Sequence, residues 1–272
     1  MKPIDFDGLF DEKVAQFMKE SKKKRSAKAW EDVIPKLYQQ FGDTYVAKIK
    51  CTPKQYYAGM SDETLVETLS AHVEQGISVP EFLLCELEKR ELTERLLPLL
   101  TAGNGELASY AVRLLGDYPR AFEGYFALLQ SEADAEVKEQ VVALLNECAD
   151  EVKEQALALY QSGKEEESAL EILSHVTVRD EEVYAALLSA FSDSEEWQLT
   201  LRARNLAPYG DDRALPHLFR KIGDESIGFV EFQELKYAIE ALGGEYDEQR
   251  DFSSDKDYLR VEAAKEKARE EK

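Results

Sequence analysis

The chain has 272 residues and a formal net charge of −21, a length that suits one elongated domain or two compact ones. Apolar residues make up 44%, enough for a core, but 14 Gly and 8 Pro are too few for a many-turned β-sandwich of this size. The acidic balance opposes binding to DNA, RNA or an anionic lipid surface, each of which calls for clustered Lys and Arg.

The N-terminus, Met1-Lys2-Pro3-Ile4-Asp5-Phe6, has no apolar run of the kind that opens a signal peptide. Residues 1–78 are read as an N-terminal helical cap region, rich in aromatics such as Phe6, Phe10, Trp30, Tyr38, Phe41, Tyr56 and Tyr57. Helices are predicted from Trp30 to Tyr38 and from Asp62 to Leu69, the second with Ser61 as its N-cap. The aromatics supply either the core of the cap or, at Tyr56 and Tyr57, a binding patch. The basic cluster Lys19, Lys22, Lys23, Lys24, Arg25 and Lys28 reads as a solvated helix end.

From residue 121 a segment recurs every 31 residues, beginning at Ala121, Val152, Val183 and Ala214. Its sixth residue is Phe126, Leu157, Leu188 or Phe219, and its ninth is Leu129, Tyr160, Phe191 or Ile222. With support from the fifth and eighth positions, this traces one face of a 3.6-residue helix. Leu92 to Leu100 is a further copy with a slip of about one residue. Between the copies runs a second helical series: Leu107 to Leu115, Val137 to Leu145, Ser168 to Leu173, Trp197 to Leu206 and Phe229 to Leu242. Gly103, Pro119, Gly163, Gly210 and Gly243 punctuate the joints. One helix pair cannot bury its apolar stripe alone, so the pairs are expected to stack. The second helices would then line the inner surface.

Asp212-Arg213-Ala214-Leu215-Pro216-His217-Leu218-Phe219, followed by Ala238-Ile239-Glu240-Ala241-Leu242-Gly243, resembles a HEAT repeat. The likeness covers residues 90–244, and the middle copies lack the Pro. It implies an all-α fold: a right-handed α-solenoid of about five HEAT-like helix pairs. The solenoid would occupy residues 79–244, and residues 245–272 would form a polar tail, helical and frayed or disordered. The family hosts scaffolds, adaptors and a few enzymes, among them bilin lyases and alkyl-base DNA glycosylases.

The expected function is a non-catalytic scaffold or adaptor that binds a protein or peptide on the second helices. A cationic partner suits the charge. Contacts are assigned to Arg113, Lys138, Trp197, Arg202 and Arg204, although each also fits a plain solvated helix face. An enzyme on the same scaffold is the alternative. A glycosylase would need a basic groove, and a lyase a chromophore pocket. No cofactor and no metal site is expected. Gly103-Asn104-Gly105 follows a run without β-branched residues and reads as a turn between helices, not a dinucleotide loop. An EF-hand beginning at Gly223 would lack side-chain oxygens at Gly223 and Ile227. His72, His175 and His217 share no metal-binding spacing. Cys51, Cys85 and Cys148 are far apart and form no CxxC pair. They read as reduced, packed thiols of a cytoplasmic protein.

Overall fold

The computed structural model describes residues 2–20 and 30–270. The basic run Lys22, Lys23, Lys24, Arg25 and Lys28 lies outside the described residues. The regular elements among those described are all helices, with no strand and a single isolated antiparallel bridge between Val46 and Cys51. None of their helices is long and apolar enough to cross a membrane. The chain divides into two compact units, Met1–Gln140 and Val141–Lys272.

In the first unit α1 (Phe6–Glu20) packs on α2 (Ile34–Gly42), α2 on α3 (Pro53–Ala58), and α3 on α5 (Glu81–Arg90). α2 begins later than the sequence predicts because Pro35, which lacks an N–H, is at home only in the first turn of a helix. α4 (Asp62–Glu74) opens at Ser61, whose hydroxyl accepts from the Thr64 N–H at 3.2 Å. Tyr57 is buried against Phe6, with ring centroids 5.6 Å apart, and Tyr38 stacks on Phe82 at 4.6 Å. Tyr57 is therefore core, and the aromatic cluster extends past residue 78 into α5.

His72 on α4 is also fully buried in this unit. Its Nδ1 meets the Ser78 carbonyl at 2.7 Å, and its Nε2 has no partner. Burial pushes its pKa below the ordinary histidine value. Near neutral pH the ring is uncharged in both folded and unfolded chains. As pH falls below about 6.5 the unfolded chain takes up a proton that the folded one resists, so stability drops with acidification. We expect denaturation midpoints to fall from pH 7 to pH 5, and the fall to be shallower in His72→Gln. Equal slopes in the two proteins would contradict this.

The last elements of this unit are α6 (Thr93–Leu96), a 3-10 turn (Leu97–Thr101), α7 (Gly105–Leu115), a second 3-10 turn (Pro119–Ala121) and α8 (Phe122–Leu129). Pro98 explains why the copy from Leu92 tightens into a 3-10 turn rather than continuing as α-helix. Leu92, Leu96 and Leu100 are nevertheless all buried, four residues apart. Asn104 caps α7 by accepting from the Leu107 N–H at 3.0 Å. Gly103 and Gly105 thus lie in a turn between helices. The division between the units falls within α9 (Ala135–Glu147).

The second unit holds α10 (Ala149–Gln161), α11 (Glu166–Ser174), α12 (Glu181–Ser192), α13 (Leu199–Tyr209), α14 (Leu215–Ile222), α15 (Phe229–Ala241) and α16 (Lys256–Glu270). α10 packs on α11 and α12, and α12 on α11 and α13. α11 packs on α13, and α13 on α15, so the second helices are neighbours in chain order. Gly210 ends α13 at a φ of 72°, the left-handed conformation that glycine adopts without steric cost. Beyond Gly244, Arg250 and Phe252 pack on Phe232 of α15, and α16 is helical.

The buried stripe of the 31-residue copies runs through the first position, buried in every copy, and the fifth. Tyr125, Ala156, Leu187 and Leu218 are all buried there. The sixth, which the sequence singles out, runs from buried Phe126 and Leu157 through half-buried Leu188 to exposed Phe219. Cysteines 51, 85 and 148 are free, but only Cys148 is buried. Cys85 lies exposed on α5, which corrects its reading as a packed thiol.

Candidate functional site

One face each of α11, α13 and α15 encloses an open groove of about 610 Å³. Glu171, Ser174 and His175 come from α11; Leu201, Arg204, Asn205 and Pro208 from α13; Glu234, Tyr237 and Ala241 from α15. On each helix the lining residues recur at spacings of three, four or seven, with Ser174–His175 and Arg204–Asn205 as adjacent pairs, which puts the side chains on one broad helix face. The volume falls within the ~300–1,000 Å³ range of ligand sites.

The lining is apolar at Leu201, Pro208 and Ala241 and charged at Glu171, Arg204 and Glu234. Arg204 makes a two-pronged bond to the Glu234 carboxylate, Nη2 to Oε1 at 2.8 Å and Nε to Oε2 at 3.3 Å. Glu234, with help from Tyr237 and Glu171, raises the Arg204 pKa above the ordinary guanidinium value. More than half of the Arg204 side chain meets solvent, so the pair contributes little, about 0–1 kcal/mol. Glu171 is held by the Asn146 side-chain amide at 3.1 Å. The His175 Nδ1–H donates to the Glu171 carbonyl at 2.9 Å, and the ring is exposed.

Asn205 is only 5% exposed, and its Nδ2 has no hydrogen-bond partner. A buried amide donor left unmade costs about 1–3 kcal/mol. Pro208, one turn on, has no N–H to offer the Arg204 carbonyl. Tyr237 is 58% exposed, although it is a large aromatic. Among the described residues no group of three or more His, Cys, Asp or Glu is placed to hold a metal ion.

No protein-family model matches this chain, and no curated protein does.

Of the five residues assigned from sequence, only Arg204 lines the groove. Arg202 is corrected: it is 5% exposed and turned inward. Its guanidinium donates to Glu166 and Glu167 at 3.1 Å each and to the Ala190 carbonyl at 2.9 Å. Two residues along a helix is a rotation of about 200°, so Arg202 and Arg204 cannot share a face. Trp197 does not open α13 but sits in the preceding 3-10 turn (Glu196–Gln198), 71% exposed, its indole N–H donating to Glu195 at 2.7 Å. Arg113 on α7 pairs with Glu81 at 3.0 Å and Glu88 at 3.5 Å, within the first unit. Lys138 lies half-buried on α9. Glu171, His175, Asn205, Glu234 and Tyr237 were missed. The signal was present as a polar stripe opposite the apolar one, with Tyr237 as an aromatic out of phase with Leu235 and Ile239.

Proposed function

We propose that the chain is a non-catalytic interaction scaffold that grips a protein or peptide partner in the α11–α13–α15 groove. In this reading the paired helices form a HEAT-like α-solenoid, and the second helices present its binding face in the cytoplasm.

The observation that carries it is the groove itself, made from matching faces of three second helices that neighbour one another in chain order. Side-chain bonds one repeat apart support the stacked array. Ser109 donates to Gln140 at 2.7 Å, a separation of 31 residues, and Gln198 to Glu167 at 3.1 Å, again 31. Arg204 and Glu234 are 30 apart. Such bonds tie one helix pair to the next, which is how a repeat array gains stability that a single pair lacks.

The test is a photo-crosslinking amino acid placed at Tyr237, in the groove, or at Glu182 on α12 of the first-helix series. The full chain is expressed in its own cell. One recurring protein band from position 237 and none from 182 is the expected result. Equal labelling from both positions, or none from either, would remove the groove as the partner face.

A further inference from the structure

We propose that the groove recognises a basic peptide segment, whose lysine or arginine takes the place of Arg204 against Glu234 and rests beside Glu171 and the ring of Tyr237. This rests on the groove being the partner face and adds the chemistry of the partner.

Three independent features point the same way. The first is charge: the rim carries two carboxylates against one guanidinium. The excess of acidic over basic residues is concentrated in residues 141–272, so a cation is drawn to this unit from a distance. An acidic peptide would meet the opposite field and only one cation, already engaged. The Arg204–Glu234 pair is solvent-exposed, so exchanging one guanidinium for another cation forfeits little.

The second is the aromatic. Tyr237 follows Glu234 by three residues and so lies one turn along the same face of α15, with most of its ring open to solvent. A carboxylate next to an accessible aromatic face is a receptor for an ammonium or guanidinium group, the carboxylate supplying charge and the ring its quadrupole.

The third is the apolar lining. Leu201, Pro208 and Ala241 lie beside the Glu234 corner in the same groove. The preferred segment is therefore a basic residue next to an apolar one. The basic side chain sits at the Glu234 corner, and the apolar side chain covers Leu201 and Pro208. The peptide, not a free diamine or metal cation, is the occupant that uses all three features.

The experiment measures binding of fluorescent peptides to the full chain by anisotropy. One is a twelve-residue peptide alternating lysine and leucine, and the other replaces every lysine with glutamate. The lysine peptide is expected to bind, and more weakly as salt rises. Glu234→Gln should weaken it about tenfold. Tyr237→Ala should weaken it about fivefold, with Tyr237→Phe restoring it because the ring face is kept. Arg204→Ala should tighten it several-fold by freeing the Glu234 carboxylate. Glu182→Gln, on α12, changes the net charge equally and should leave affinity within about twofold, which separates a site from general attraction.

Weaker binding in Arg204→Ala, or losses in Glu182→Gln equal to those in Glu234→Gln, would overturn the proposal. So would preference for the glutamate peptide. If Tyr237 crosslinks a partner while no lysine peptide binds, the basic chemistry falls and the groove reading stands. If neither occurs, both fall.

Discussion

Arg202→Ala is expected to lower stability by about 3 kcal/mol, far more than any of the other arginines singled out from sequence. The guanidinium is 5% exposed and joins α13 to Glu166 and Glu167 of α11 and to the carbonyl of Ala190 on α12. Removing one partner of a buried pair leaves the other charge uncompensated, which costs about 3–5 kcal/mol. The lower end applies because Glu166 and Glu167 keep contact with solvent. Glu167 already has one buried carboxylate oxygen without a partner, so loss of Arg202 would leave its charge with the neutral Gln198 amide as its remaining side-chain donor. Arg202→Met combined with Glu167→Leu removes both charges and keeps the packed volume, and should recover more than half of the loss. Chemical denaturation followed by far-UV circular dichroism measures both. A cost below about 1 kcal/mol for the alanine variant would mean that Arg202 is not holding the three helices together.

The second large effect contrasts two adjacent residues. Leu218→Ala should cost about 2–5 kcal/mol, because Leu218 is 0% exposed and its loss leaves a cavity in a packed core. Phe219→Ala should cost about 1 kcal/mol or less, although Phe is the larger side chain, because Phe219 is 38% exposed. Its ring lies beside that of Tyr246, with centroids 6.3 Å apart. Comparing the two denaturation midpoints decides the matter. A Phe219→Ala cost equal to that of Leu218→Ala would restore the sixth position of the copy as the buried seam.

The case of Phe219 shows where periodicity stops being informative. The fifth position lies near the centre of the apolar stripe and is buried in all four copies. The sixth is about 100° further round, at the stripe's edge, so its burial depends on the neighbour it happens to meet. In the last copy the neighbour is the segment carrying Tyr246, not another helix pair.

The arginines make the same point. A run such as Leu201-Arg202-Ala203-Arg204 reads as polar at alternate positions, and both cations look available. On a helix they point to opposite sides. Which of the two faces the core depends on the phase set by Leu199, Ala203 and Leu206, all buried. That phase was legible in the sequence, and with it Arg202 could have been assigned inward. The identity of the half-buried carboxylates it meets could not, since Glu166 and Glu167 are 36 and 35 residues away in the chain.

The sequence by itself determined that this chain is helical, and where most helices begin and end. Those features follow from local terms: apolar spacing, a capping serine or asparagine, and glycine or proline at the joints. Only the tertiary structure decided that Glu171, Asn205, Glu234 and Tyr237 share one groove with Arg204. A groove is built from side chains far apart in the chain, and its membership depends on how three helices are rotated about their axes. Rotation is settled by packing across the interface, a non-local energy that no single segment contains.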